Sequence, residues 1–575
     1  MTNLISIRDL HYRPESFPLE KPDILKGINL DIEKGAFVAI IGRNGSGKTT
    51  LIKHINGLLI PSKGQIIVGG FNTSKLTNHP ELRKLVGMVF QNPADQIVAS
   101  TVEEDVAFGL ENLNLPAEEI HKRVKKQLEE AELLSEAKRP PHLLSGGQIQ
   151  RLALAGVLAR HPEVILFDEP TSMLDPLTRK AFLARISDLN QQGMTIIYIT
   201  QHMEEANQAE NVIVINGGKI ELSGKPEEIF KQEDLLYEIG LDIPEAAKLA
   251  HKFRNLGWEI PQNVSMPDAL LNALPTYKNR QPPTTTPLSQ ENTQRSIVSV
   301  ENVYYTYLEG TPLAKDALNG ADLLVNKGVI QGLAGTNGSG KSTLLQHVNG
   351  ILRPREGNVR VGELEVADPE TPLIDIVKKV GLVFQNPETQ FFEVFVGDEI
   401  AFGPKQFGME NIKDRVRDAM ALVGLDFESF KDRRLETLSG GEKRKVALAS
   451  TLILDQEILL FDEPTAGMDP ESRDELLTLF SQLKKGGKTI LIASHRLDEI
   501  AQITDDLSVM KSGEVLKTSP TRELLFDHEV IREVGLYPPL IVRILQKLEE
   551  NGWPVNNCQS LALDKILTFL EEAIQ

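Results

Sequence analysis

Two apolar runs, Phe37 to Ile41 and Val329 to Ala334, each lead through a Gly-rich turn into a segment with helical spacing, Thr50 to Asn56 and Thr343 to Asn349. The hydrophobic pattern around them is written twice, in the same order. Extended, β-branched stretches come first (Ile5-Ser6-Ile7 and Ile28 to Ile32; Ile297 to Val300 and Ala321 to Val325), and another follows the turn and helix (Gln65 to Val68; Asn358 to Val361). In the middle of each copy apolar residues recur at every fourth position, Ile120, Val124 and Leu128 and then Ile412, Val416 and Met420, which predicts an amphipathic helix. Continuous apolar runs return at Val164 to Phe167, Thr195 to Ile199 and Asn211 to Ile215. Strands alternating with helices in this way predict an α/β domain built on a mostly parallel sheet, present twice.

The copies keep a nearly constant offset. Lys341 lies 293 residues after Lys48, Gln385 lies 294 after Gln91, and His495 lies 293 after His202. A period this long marks a duplicated domain rather than a solenoid of short repeats. The expected division is a first domain over 1–236, a helical appendix over 237–277, a flexible linker over 278–295, a second domain over 296–532 and a second appendix over 533–575. The linker reading rests on Pro282, Pro283 and Pro287 among Thr, Asn and Gln residues, with no periodic apolar face. Gly257-Trp258 recurs as Gly552-Trp553, so the appendices belong to the repeat, and each is expected to pack against its own half.

Composition narrows the class. A chain of 575 residues is too long for one ordinary core. The net charge of −19 argues against a surface that wraps nucleic acid. Cys558 is the single cysteine, which excludes an internal disulfide framework and any cysteine-ligated zinc or iron–sulfur site. No stretch approaches the ~18 consecutive apolar residues of a membrane span. The first residues, Met1 to Asp9, have no basic region followed by an apolar core, so a cytosolic chain, soluble when expressed alone, is expected.

The two Gly-rich turns carry the first chemistry. Gly42-Arg43-Asn44-Gly45-Ser46-Gly47-Lys48-Thr49, followed by Thr50, and Gly335-Thr336-Asn337-Gly338-Ser339-Gly340-Lys341-Ser342, followed by Thr343, both match the phosphate-binding loop G-x-x-x-x-G-K-[ST] between a strand and a helix. The glycines let backbone N–H groups wrap phosphates at a helix N-terminus; Lys48 and Lys341 reach the terminal phosphates, and Thr49 and Ser342 offer hydroxyls to Mg²⁺. Leu144-Ser145-Gly146-Gly147-Gln148 and Leu438-Ser439-Gly440-Gly441-Glu442 open helices in a form that suits a second anion site. The apolar strands ending in Asp168-Glu169-Pro170 and Asp462-Glu463-Pro464 place one carboxylate to hold Mg²⁺ through water and its neighbour to deprotonate an attacking water.

In this order the motifs resemble the ATP-binding cassette (ABC) ATPases, over nearly the whole chain apart from the linker and appendices. The resemblance implies ATP and Mg²⁺ as ligands and Glu169 and Glu463 as general bases. It implies a γ-phosphate switch at His202 and His495, Gln91 and Gln385 at the metal and attacking water, and Asp175 and Asp469 in a loop that crosses between domains. The family stacks adenine on an early aromatic residue. Tyr307 fits that place in the second copy, whereas the first has Pro14, leaving Tyr12 or Phe17 as substitutes or a weaker hold on the base.

The segments Gln91-Asn92-Pro93-Ala94-Asp95-Gln96 and Gln385-Asn386-Pro387-Glu388-Thr389-Gln390, with Glu104 to Gly109 and Asp398 to Gly403, look like those of energy-coupling-factor importers of vitamins and the related cobalt and nickel importers. That resemblance implies intramolecular head-to-tail pairing of the two ATPase domains and docking onto integral membrane subunits, one coupling and one substrate-binding, at the cytoplasmic face of the membrane, with no nucleic acid as partner. A soluble tandem cassette protein acting on ribosomes or DNA and a sugar-importer ATPase remain the rival readings. In head-to-tail pairing the Lys48 site would face Glu442 where the Lys341 site would face Gln148. The first site is then expected to hold ATP more weakly, unless Glu442 turns outward or pairs with Lys443 or Arg444.

Overall fold

The computed structural model describes residues 3–14, 22–172, 174–277, 295–311, 314–466, 468, 470–558 and 560–574. Phe17, Asp469 and residues 278–294 of the linker expected over 278–295 lie outside the described residues. The chain separates into two compact units, one of Met1–Leu174, Thr178–Asn255 and Ile260–Ala273, the other of Asp175–Leu177, Leu256–Glu259 and Leu274–Gln575.

The first unit is built on a six-stranded sheet in the order Lys219–Gly224, Asn211–Asn216, Phe37–Ile41, Thr195–Ile199, Val164–Asp168, Val86–Val89. Five of these strands are parallel, and only the edge strand Lys219–Gly224 runs antiparallel. Strands in such a sheet are covered on both faces, which is why Phe37–Ile41 and Val164–Asp168 are buried at every position and read as unbroken apolar runs. Successive side chains still part to opposite sides. Val38 and Ile40 join a core with Ile5, Ile7 and Leu51, while Ala39 and Ile41 join another with Phe182 and Ile186.

A second, four-stranded antiparallel sheet, Leu25–Glu33, Asn3–Tyr12, Lys63–Val68 and Phe71–Asn72, supplies Ile5, Ile7, Ile28 and Ile66 to the first of those cores. Its strands are legible in the sequence; that they form a separate sheet is not. The helices Val102–Glu111, Ala117–Glu130 and Gly146–Leu158 make a third cluster around Val106, Val124, Leu128 and Leu152, the expected four-residue stripe among them. Leu241, Ile243 and Ala247 of the appendix are buried with Phe182 and Phe230.

The second unit repeats the plan. Its mixed sheet runs Val380–Val383, Ile458–Asp462, Thr489–Ser494, Ile330–Ala334, Asp506–Lys511, Glu514–Pro520, again with one antiparallel edge. An antiparallel sheet of Lys315–Asn326, Ser296–Tyr307, Glu356–Val361 and Leu364–Glu365 covers it. The Gly-Trp repeat has a local cause: Gly257 and Gly552 adopt φ of 84° and 87° just after the helices Glu245–Asn255 and Leu540–Glu550, a left-handed turn that glycine takes without strain, and Trp258 and Trp553 are buried beyond it.

Candidate functional site

In the first unit the strand Phe37–Ile41 runs directly into the loop Gly42 to Gly47, which opens the helix Lys48–Ile55. Glycine is required twice for reasons of space. A Cβ on Gly42 would lie 2.3 Å from the Ile215 carbonyl oxygen and 2.6 Å from Ser46 Oγ; Gly47, at φ 107°, would meet Leu25 Cδ2 at 2.8 Å. The loop curls around the buried Lys48, whose Nζ donates to the carbonyls of Gly42 at 2.6 Å and Arg43 at 3.0 Å. Lys341 does the same to Gly335 at 2.8 Å and Thr336 at 3.0 Å. Burial lowers the pKa of both amines, and the nearby carboxylates, Glu169 and Asp168 in one unit and Glu463 and Asp462 in the other, oppose that shift.

The carboxylates at the strand ends face these loops. Thr49 Oγ1 donates to Asp168 Oδ1 at 2.9 Å, and Ser342 bonds Asp462 in the same manner. Burial raises the carboxyl pKa of Asp168 and Asp462, partly countered by those hydroxyls. Among the described residues no group of three or more His, Cys, Asp or Glu could hold a metal alone. The donor set nevertheless suits Mg²⁺, which takes one or two carboxylates and completes its shell with water and substrate phosphate. Asp462 Oδ1 is buried without a partner among the described residues, and so are the hydroxyls of Ser46 and Ser339 inside the two loops. Orphaned polar atoms at these points fit a phosphate–metal ligand.

Glu169 and Glu463 stand at φ 46° and 47°, a left-handed conformation that costs a non-glycine residue of order 1 kcal/mol or more. Each is pinned by its backbone N–H, Glu169 to the Ile199 carbonyl at 3.0 Å and Glu463 to the Ala493 carbonyl at 2.9 Å. Their side chains are held differently. Glu463 Oε1 accepts from His495 Nδ1 at 2.7 Å and from the His495 backbone N–H at 3.1 Å, and Oε2 accepts from the Ser494 hydroxyl at 3.3 Å. Glu169 Oε1 accepts from Gln201 Nε2 at 2.8 Å, and Oε2 from Gln91 Nε2 at 3.4 Å. Burial raises the carboxyl of Glu463, but His495 and Lys341 outweigh it and hold the group below its ordinary value.

These contacts correct the pairing of His202 with His495. The residue that meets the glutamate in the first unit is Gln201. The backbone N–H of His202 donates to Thr200 Oγ1 at 2.9 Å, as that of Arg496 donates to Ser494 Oγ at 3.0 Å, so His202 is the counterpart of Arg496. The sequence held a signal for this. Gln91, Ser145, Asp168, Glu169 and Glu205 all match their partners at 294 residues, and the histidines match at 293 only by leaving that register.

In the second unit the structure gathers Tyr307, Lys341, Ser342, Gln385, Asp462 and Glu463 around one cavity of about 290 Å³. Tyr307 ends its strand with its hydroxyl 3.2 Å from Thr343 Oγ1. Tyr12 is not its counterpart: the Tyr12 ring packs edge-on against His54 at 4.5 Å, as Tyr305 packs against His347 at 4.8 Å. Ser439, Gly440 and Gly441 do not line the cavity. Ser145 and Ser439 are N-caps, each accepting from the backbone N–H three residues on, while Gln148 and Glu442 return the bond to the serine N–H. Among the described residues a Cβ on Gly146, Gly440 or Gly441 would meet nothing within 4 Å, so their packing there does not demand glycine.

The sequence offered Arg444 only as a possible partner of Glu442; the structure gives it another role. Its buried guanidinium donates to the carbonyls of Glu463, Pro464 and Gln385 at 2.6 to 2.9 Å, tying three segments of the site together.

Comparison with known proteins bears on the whole chain. The family model described as ABC transporter matches residues 25–172 and again 318–466. A protein of Caldanaerobacter subterraneus subsp. tengcongensis, provisionally named an ABC transporter ATP-binding protein, is 33% identical over 95% of this chain and 96% of its own length. The energy-coupling factor transporter ATP-binding protein EcfA1 of the same organism is 50% identical over 43% of this chain and 89% of its own, and that of Clostridium novyi 46% identical over 47% and 98%. Among solved structures, cbiO1 of Clostridium perfringens, part of the transporter complex cbiONQ, is 34% identical over 44% of this chain and 99% of its own, with a TM-score of 0.37.

Proposed function

The chain belongs to the ABC transporter family, as a tandem pair of ATP-hydrolysing domains, and from that premise we propose that it is the energy-coupling ATPase of an energy-coupling-factor type importer, working through separate integral membrane subunits. The substrate would be a vitamin, a precursor or a metal ion, recognised by those subunits. Glu169 and Glu463 are read as general bases. Thr49 with Asp168, and Ser342 with Asp462, would hold Mg²⁺ together with Gln91 and Gln385. The metal's charge would offset that building on the transferred phosphoryl group. Lys48, Lys341 and the loop N–H groups would orient the triphosphate, and Tyr307 would stack on adenine in the second site. The two domains would pair head to tail, each phosphate loop meeting the Ser-Gly-Gly segment of the other.

The observation that carries the importer reading is what surrounds the Gln-Asn-Pro segments. Just beyond them, in both units, large apolar side chains lie in the open: Val98 and Phe108 in the first, Phe392, Val394 and Phe395 in the second, with Phe392 76% exposed and stacked on Phe402 at 5.4 Å. Exposed apolar clusters of this kind are suited to the nonpolar face of a partner's helix. The high identity to EcfA1 proteins over less than half of the chain supports the same reading.

No helix among the described residues is long and apolar enough to cross a membrane. The chain is therefore expected in the membrane fraction only when its membrane subunits are co-expressed. Fractionating cells with and without those subunits tests this. Firm membrane attachment of the chain alone, or co-sedimentation with ribosomes, would sink the proposal.

A further inference from the structure

We propose that the switch position of the first ATPase domain is occupied by Gln201, a neutral positioning residue that ties the phosphate loop to Glu169, and that His202 has no part in it. The inference rests on the reading of Glu169 as general base.

Three independent contacts fix the correspondence. Glu169 N–H bonds the Ile199 carbonyl as Glu463 N–H bonds that of Ala493, which equates the last residues before the switch segment. One residue on, the hydroxyls of Thr200 and Ser494 each accept from the backbone N–H two positions further, at His202 and Arg496. Between them, Gln201 Nε2 and His495 Nδ1 reach the Oε1 atom of their glutamates at 2.8 and 2.7 Å. The short helices that follow, Met203–Ala206 and Leu497–Ile500, begin in the same register. Glu205 and Glu499 then turn back to accept from Thr171 and Thr465, two residues beyond the respective glutamates.

What Gln201 adds is a second contact from the same nitrogen. Nε2 also donates to Asn44 Oδ1 in the phosphate loop at 2.8 Å, so one amide group bridges the loop and the carboxylate. An amide supplies two N–H donors and cannot itself gain or lose a proton near neutral pH. It can hold the carboxylate in place, but it cannot alternate between neutral and cationic forms as an imidazole can. The two domains are thereby chemically distinct at the same point. In the first the glutamate is held between two glutamine amides, and in the second by an imidazole and a serine hydroxyl.

The test uses the full chain carrying Glu463→Gln, so that Glu169 is the remaining base, with steady-state hydrolysis of Mg-ATP and nucleotide titration as readouts. Gln201→Ala should lower kcat by about ten-fold or more while ATP affinity stays within about two-fold, since a misplaced reacting group acts on turnover rather than on ground-state binding. Gln201→His, which restores an N–H donor, should recover most of the loss. If the Glu463→Gln chain turns over too slowly to measure, the same substitutions are compared in the otherwise native chain, where kcat should fall by about half or more. Unchanged kcat in Gln201→Ala, a parallel loss of ATP affinity, or a larger loss in His202→Ala than in Gln201→Ala overturns the proposal. Glu169→Gln in the native chain separates the two readings. If it retains native turnover, the general-base assignment fails; if it loses turnover while Gln201→Ala does not, only the role of Gln201 fails.

Discussion

The guanidinium of Arg444 donates to the main-chain carbonyl of Glu463 at 2.9 Å, and from the same buried position to Pro464 and Gln385. A cation on the helix Gly440–Leu452 thus anchors the strand end that carries Glu463 and the segment that carries Gln385. Its counterpart in the first unit, 294 residues earlier, is Gln150, buried with Nε2 unpartnered among the described residues. Replacing Arg444 by Gln should cost the second domain about 2–3 kcal/mol, because charge-assisted bonds are lost and buried carbonyls are left unpaired. Thermal unfolding measures this, and kcat should fall with it because Glu463 loses its anchor.

Glu169→Gln and Glu463→Gln combined should reduce ATP turnover by about 10²–10⁴-fold, the usual contribution of a general base, while ATP remains bound. Glutamine keeps the size and can still accept hydrogen bonds, so nucleotide affinity measured by titration should change little. Turnover near the native rate would remove both residues from the mechanism.

The expected weakening of the Lys48 site by Glu442 does not follow from the structure. Glu442 Oε2 accepts from the Ser439 N–H at 2.7 Å, and Oε1 lies 3.1 Å from Arg433 NH1. Burial raises its carboxyl pKa, but the bonds from Ser439 and the charge of Arg433 prevail and keep it below its ordinary value. The partner is Arg433, not the expected Lys443 or Arg444: Lys443 pairs with Glu388, and Arg444 is committed to carbonyls. Gln148 fills the same capping role, accepting from Ser145 N–H at 2.9 Å. Glu442→Gln should therefore change ATP affinity by less than about two-fold, as partly exposed pairs contribute only ~0–1 kcal/mol. Tightening well beyond that in a titration would restore the repulsion argument.

Glu205 offers a test by pH. Its carboxylate is buried among Thr171, Tyr198 and Thr200, with Arg179 at 3.7 Å. Burial is the largest influence and raises its pKa above 4.5; Arg179 and the hydroxyls oppose it without cancelling it. A raised folded-state pKa means that the folded protein binds the proton more tightly. The corresponding stability is full below pH 4.5 and declines as pH climbs through the higher folded value. Glu205→Gln has no such titration. The melting temperature of the native chain, taken relative to that variant, should fall between pH 4.5 and mildly alkaline pH. A difference that is flat or rises over that span would contradict the assignment.

The sequence by itself determined the duplication, the apolar strands and the phosphate loops. A buried parallel strand must be apolar at nearly every position, and a loop that wraps a phosphate needs glycines at fixed spacing because no Cβ fits, as Gly42 shows against Ile215. Both constraints act within a few consecutive residues and survive in the one-dimensional pattern. Only the tertiary structure decided which side chain meets each glutamate. Side chains at successive positions after a strand point in different directions, so a difference of one residue exchanges Gln201 for His202; the 294-residue register separates the two positions, but it does not say which side chain reaches the carboxylate. The same holds for Tyr12, whose ring is claimed by His54, and for Arg444, whose three acceptors come from segments remote in sequence. Those partners are chosen by packing in three dimensions, and no local pattern of hydrophobic and polar residues encodes them.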